Sequence, residues 1–378
     1  MATPRRARLE ARDGAHGVTT LALFFDIVFV FALTQVTGLM ADDTSAVGLL
    51  HGALVVTVLW WCRVGFAGPA DVGRADDAVI RLAVFAATGA LFVAAITVPE
   101  SFDDMPGGLS GPVVFAACYV VVRALHIVVS WLDSADDPVL RGQVVRLVPS
   151  AAVGAALLLA ASQAGGALQT WLWVAAAAGD LVGARLAGTG RRPAPTARVA
   201  ERHGQLVTLA LGGSLVAIGI GIAQKPVSWP IIAASVLALV VAAALWWVHL
   251  ESARDGRPSL HLPTVIGIVV MSLGLERALG RVAGDADYTL ADPLRGLPLV
   301  ALFGGVALFL LAHAGFTRAV ADRPAWGRVV AAGVLVALIP PASMLPAIGA
   351  LVVPAAVLVA LLGHETRRAP RAPAVAGH

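Results

Sequence analysis

The chain has 378 residues, 58% of them hydrophobic and only 13% charged, with a mean hydropathy of +0.83. Soluble domains carry about a quarter of their residues as Asp, Glu, Lys and Arg, so this composition excludes a water-soluble globule and defines an integral membrane protein. The net charge of +3 comes from Arg gathered between apolar segments, which reflects topology and contact with anionic lipid and gives no reason to expect nucleic acid as a partner.

Twelve apolar segments follow one another at 21–40, 46–66, 79–98, 112–132, 144–162, 168–187, 205–223, 229–250, 262–281, 296–316, 327–341 and 344–363. Most approach the ~20 residues that cross a hydrocarbon core. The first is long, carries Asp26 and lacks a small-residue cleavage site, so it is expected to stay as a helix rather than leave as a signal peptide. The eleventh is short, and Pro340-Pro341 with Pro346 predicts a tight hairpin between it and the twelfth. Cys62 and Cys118 fall inside spans and suit neither a disulfide nor a metal site.

An internal repeat organises these segments. Thr20-Leu-Ala-Leu-Phe-Phe-Asp26 returns as Thr208-Leu-Ala-Leu-Gly-Gly-Ser214, Trp60-Trp61 as Trp246-Trp247, and Arg146-Leu-Val as Arg328-Val-Val, all in order. Such self-similarity sets the architecture before any other feature. The N-terminal tail, every second loop and the C-terminal tail hold nearly all the Arg, while Asp42-Asp43 and Glu100 to Asp104 fall on the other side. By the positive-inside rule both termini are cytoplasmic, as in a bacterial-type plasma membrane, and six spans per half make the repeats parallel.

The expected fold is therefore all-α, a polytopic membrane bundle of about 12 transmembrane helices as two parallel six-helix repeats. Its parts are a tail at 1–20, a first repeat at 21–187, a Gly/Pro/Arg-rich cytoplasmic linker at 188–204, a second repeat at 205–363 and a disordered tail at 364–378.

Ionisable residues inside apolar spans are the candidates for function, because they are costly there and face a bundle interior or a wet cavity. Asp26 reads as a proton or cation site, or as a carboxylate paired with a cytoplasmic-loop Arg. Arg123 and His126 lie deep in the fourth segment, and His313 occupies the counterpart of Arg123 in the tenth. Glu276 and Arg277 are adjacent and so do not face each other on a helix, and Asp180 and Arg185 are spaced for a weak intrahelical pair at most. Glu201, Arg202, His203 and His261 complete the candidate pathway or buried polar network. Phe24, Phe25, Gly212, Gly213, Ser214, Trp60, Trp61, Trp246 and Trp247 are candidates for a repeat interface. Most Trp positions, at segment ends, read as an aromatic belt, with the repeated pair as the exception. No metalloprotease, Cys-x-x-Cys, phosphate-loop or nucleophile-elbow motif is present, so no enzyme activity, cofactor or metal is expected.

Phe24-Phe-Asp-Ile-Val-Phe-Val-Phe-Ala-Leu-Thr-Gln35 resembles the signature of the low temperature requirement protein A family of bacterial membrane proteins, Glu-Leu-Phe-Phe-Asp-Leu-Val-Phe-Val-Phe-Ala. Glu201-Arg-His-Gly-Gln-Leu-Val, running on to Leu211-Gly-Gly-Ser214, is similar to that family's second block, Glu-Arg-His-Gly-Leu-Phe…Leu-Gly-Glu-Ser. Trp246-Trp247 and His261-Leu-Pro263 fall at its later marks. The chain departs from the pattern twice, with Ala22 and Gly213 where the family has Glu. The resemblance implies a fold and no reaction. A looser likeness of the first block to the repeat-opening motif of lysosomal-type potassium channels is one of architecture.

Two readings follow. In a transporter or ion-permeation protein, small ions or solutes pass where the first and seventh helices face each other; a channel places small and apolar constrictions such as Ala32, Leu33 and Ile218 there, and a carrier a titrating group. In a non-transporting scaffold or cold-adaptation factor the buried charges only fix helix packing, a reading the paired loss of carboxylates favours. The bilayer is the expected partner, and a homo-oligomer is left open.

Overall fold

The computed structural model describes residues 20–66, 78–134, 137–187, 196–223, 225–252, 258–284, 292–321 and 325–368. Among them are thirteen α-helices and no strand. They are α1 Thr20–Asp42, α2 Ala46–Phe66, α3 Ala78–Ile96, α4 Gly111–Asp133, α5 Pro138–Ala161, α6 Gly166–Ala187, α7 Thr196–Ala223, α8 Trp229–Ser252, α9 Pro258–Val282, α10 Leu297–Ala321, α11 Trp326–Ala337, α12 Ile339–Ala342 and α13 Ala347–Arg368. Ten of these, α1 to α5, α7 to α10 and α13, are long and apolar enough to cross a membrane, and α11 is a shorter apolar helix.

Local chemistry sets where the helices begin and end. Asp137 caps α5 by accepting from the Val139 and Leu140 amides, with Pro138 at the first helical position, where its missing N–H costs nothing. Ser45 Oγ accepts from the amides of Val47 and Gly48 and opens α2 in the same way. Gly166 opens α6 at φ 59, a left-handed conformation open to glycine, which lets the chain reverse within four residues after α5. Hydroxyls inside the spans bond back to their own helix, as Thr57 does to Ala53 and Thr88 to Val84.

Three ends differ from the sequence expectation. The eleventh segment was expected to run to Pro341, but α11 stops at Ala337 because the ring of Pro340 collides with the carbonyl four residues earlier. Leu338 then interrupts before the single turn of α12. α7 begins at Thr196, directly after Pro195, and so takes in part of the stretch read as linker. α13 runs to Arg368, past the expected start of a disordered tail at 364, and Thr366 Oγ1 donates to the Leu362 carbonyl within it.

The chain divides into two compact units, one of Met1–Gly213 with Gly256–Leu262 and the other of Ser214–Asp255 with Pro263–His378. In unit 1, α2 packs on α1, α4 and α6, while α3 packs on α1 and α4 and α5 packs on α4 and α6. Phe25, Phe29, Trp60, Phe66 and Phe115 fill its core. In unit 2, α8 packs on α10 and α13, and α11 packs on the same two. α9 lies backbone to backbone on α10: a β-carbon added to Gly267 would come within 2.8 Å of the Gly305 carbonyl oxygen. Small residues make such approaches affordable where lipid provides no hydrophobic drive between helices.

Candidate functional site

The last turns of α2 build the polar centre of unit 1. Arg63, within α2, lays one edge of its guanidinium along Asp26 of α1, Nε donating to Oδ1 at 2.8 Å and Nη2 to Oδ2 at 3.1 Å. Both side chains are 0% exposed. The pairing of Asp26 with a loop Arg is therefore corrected: α2 stays helical to Phe66, which brings Arg63 into the bundle. Trp60 lies beside the same guanidinium, 5.7 Å from ring centroid to Cζ.

A second group surrounds Asp180 of α6. Tyr119, Arg123 and His126 of α4 are spaced four and three residues apart and share one helix face. Tyr119 Oη donates to Asp180 Oδ2 at 2.6 Å, Arg123 Nη2 donates to Oδ1 at 3.0 Å, and Arg123 Nη1 donates to His126 Nδ1 at 3.4 Å. Two glycines make room. A β-carbon on Gly154 of α5 would meet Tyr119 Oη at 2.9 Å, and one on Gly65 of α2 would meet His126 Nδ1 at 2.7 Å. Asp180 draws its hydrogen bonds from α4, while its expected weak pair with Arg185 involves a side chain outside the described residues. The structure thus joins three of the sequence candidates, Arg123, His126 and Asp180, in one buried cluster, with Asp26 in a separate pair.

Unit 2 offers different chemistry. His313 Nδ1 lies 2.9 Å from the Phe309 carbonyl, which can only accept, so Nδ1 carries a proton. His249 Nδ1 stands 3.0 Å from His313 Nε2. Ser272 Oγ lies 2.7 Å from the Ile268 carbonyl oxygen and 2.6 Å from Ser214 Oγ, in hydrogen-bond contact with both. Arg328 of α11 pairs with Glu365 of α13 through Nε at 2.9 Å and Nη2 at 3.2 Å, lies 3.7 Å from Glu251 of α8, and donates from Nη1 to Thr317 of α10 at 3.3 Å.

The other candidates are scattered. Glu276 and Arg277 are half-buried on α9, and His261 is buried in the unit-1 part of that helix. The side chains of Glu201, Arg202, His203 and Arg185 lie outside the described residues. Phe25 is buried against Phe66, whereas Phe24 is exposed beside Phe85 of α3. Trp61 is half-buried, Trp246 and Trp247 are exposed, and Trp247 Nε1 donates to Glu251 at 3.0 Å. Trp173 leaves the expected belt, and Trp60 belongs to the repeated pair already set apart from it. Both are buried, Trp60 against Phe29 and Trp173 between Phe102 and Phe115, because their helices turn those faces inward.

The two positions lacking the family's carboxylates are packed: Ala22 is fully buried, and Gly213 lies so close to Val30 of α1 that a β-carbon there would collide with it. Gly212, one residue earlier, is exposed. Among the described residues no group of three or more His, Cys, Asp or Glu is arranged to hold a metal ion. Sequence reasoning passed over Arg63, Tyr119, Gly154, His249 and the Arg328–Glu365 pair. Arg63 and His249 each left a signal, standing three residues and one residue inside the end of an apolar segment.

Apolar helices of spanning length, enclosing fully buried ion pairs, define a polytopic helical membrane protein. The family described as bacterial low temperature requirement A protein (LtrA) matches residues 17–363, nearly the whole chain, and the chain belongs to that family. It is also similar to uncharacterized protein RA0937 of Rhizobium meliloti (strain 1021), 25% identical over 313 residues that cover 75% of this chain and 74% of that protein. No solved structure matches it.

Proposed function

We propose that the protein carries a small solute or ion across the bacterial plasma membrane, with no enzymatic step, and that the polar cluster of unit 1 is where that solute acts. The observation that carries this reading is the burial of Arg123, Asp180, Tyr119 and His126 in one hydrogen-bonded group between apolar helices. Ionisable groups at such depth are kept at a cost, and pathways and relays are where membrane proteins keep them.

Two parallel six-helix repeats with both termini cytoplasmic are part of the proposal. Counting from the repeated Trp pair, at an offset of 186, Arg63 corresponds to His249, while Arg123 corresponds to His313 at the slightly larger offset of 190. Asp26 corresponds to Ser214. The buried Arg63–Asp26 pair of unit 1 thus becomes an imidazole and a hydroxyl in unit 2. That is what two copies of one bundle require when charges are dropped together, since a buried charge stripped of its partner is strongly destabilising.

Purified protein in liposomes, assayed for proton, potassium, sodium, chloride and acetate flux, tests the reading. Flux of at least one of these, reduced in Arg123→Lys, is expected; no flux of any removes transport. Wild-type flux in Asp26→Asn would take Asp26 out of the pathway and leave it a packing residue. A non-transporting scaffold is the second reading, favoured by the close packing at Ala22 and Gly213, where the family's carboxylates are absent.

A further inference from the structure

Two buried arginines in unit 1 meet their carboxylates differently. The Nε and Nη2 groups of a guanidinium lie on one edge, spaced to bind both oxygens of a planar oxoanion. Arg63 fills that edge with both oxygens of Asp26. Arg123 fills only half of it. Its Nη2 reaches Asp180 Oδ1, whereas Asp180 Oδ2 is held at 2.6 Å by Tyr119, and Arg123 Nε has no hydrogen-bond partner among the described residues. Arg123 is 5% exposed, so water at a surface does not account for that N–H.

We propose that the half-filled edge of Arg123 is a binding site for a small planar oxoanion of the carboxylate type, with Asp180 as its internal competitor and Tyr119 as the residue that holds the competitor aside. An anion suits the site better than a cation because all four oxygens of Asp26 and Asp180 already accept hydrogen bonds. The unfilled position is a donor, so the visitor must be an acceptor. The inference rests on the transport reading only in making this anion the candidate solute.

The arrangement sets opposite signs for two neighbouring substitutions. Asp180→Asn removes the competing charge and is expected to tighten anion binding roughly tenfold, while Tyr119→Phe releases Asp180 Oδ2 toward Nε and weakens it by a similar factor. Arg123→Lys keeps the charge but loses the edge, and binding falls to the level of a nonspecific salt effect. The measurement is the melting temperature of the full chain in lipid nanodiscs, titrated with sodium acetate, nitrate or chloride against gluconate at equal ionic strength.

Acetate or nitrate should raise it more than chloride. A response to chloride alone, a response that follows the cation, or none in either wild type or Asp180→Asn would overturn the site, as would tighter binding in Tyr119→Phe. If Arg123→Lys does not fold, the contrast between the other two variants decides. Anion binding without flux would end the transport reading and leave the site, whereas flux without any anion-dependent rise in melting temperature would end the site and leave transport.

Discussion

Arg63 and Asp26 illustrate how a buried charge is tolerated and what its removal reveals. With both partners 0% exposed, deleting one leaves the other uncompensated in a low-dielectric interior, a loss of about 3–5 kcal/mol. Asp26→Asn and Arg63→Met should each lower the melting temperature of the purified protein sharply. The double substitution should recover much of that loss, because no uncompensated buried charge then remains. Melting of the double variant as low as the two single losses summed would show that the residues do not act as a pair. The sequence singled out Asp26 because a carboxylate inside an apolar run has no other explanation. It hid Arg63, since an Arg near the end of a segment is already accounted for by the positive-inside pattern.

Among the helices, α4, α5 and α6 meet through a contact whose tightness depends on one missing side chain. Gly154 of α5 faces the Tyr119 hydroxyl of α4 where that hydroxyl binds Asp180 of α6. Gly154→Ala puts a methyl group 2.9 Å from the oxygen, so the phenol must shift, at about 1–3 kcal/mol. In a Tyr119→Phe background the oxygen is gone, and the same substitution should cost less than half as much. A double-mutant cycle on melting temperature measures the coupling, and equal costs in both backgrounds would place the strain elsewhere. Helix positions were legible from hydropathy alone, since α2, α8 and α10 cover the expected segments to within a few residues. Helix partners were not. Which face of α4 meets α6 depends on crossing geometry and on glycines such as Gly154, which in an alanine- and glycine-rich chain look like many others.

At the scale of the whole chain, topology is the property on which any vectorial function depends. Adjacent helices joined by short turns must run antiparallel, and only four residues separate α5 from α6 and α12 from α13. If α6 and the broken pair α11 and α12 each count as one crossing, the ten long apolar helices bring the number to twelve, which is even. Arg141 and Arg328, at the starts of α5 and α11, then lie on the cytoplasmic side, and the turn holding Gln163 lies outside. In a Cys62→Ser, Cys118→Ser background, Gln163→Cys and Met105→Cys should react with a membrane-impermeant maleimide on intact cells. Ala15→Cys and Ala374→Cys should react only after lysis. Labelling of one terminus but not the other would make the number of crossings odd and break the symmetry of the halves. Labelling of both termini with protection of Gln163→Cys would keep the even number and invert the protein, turning the Arg-rich side outward against the positive-inside bias.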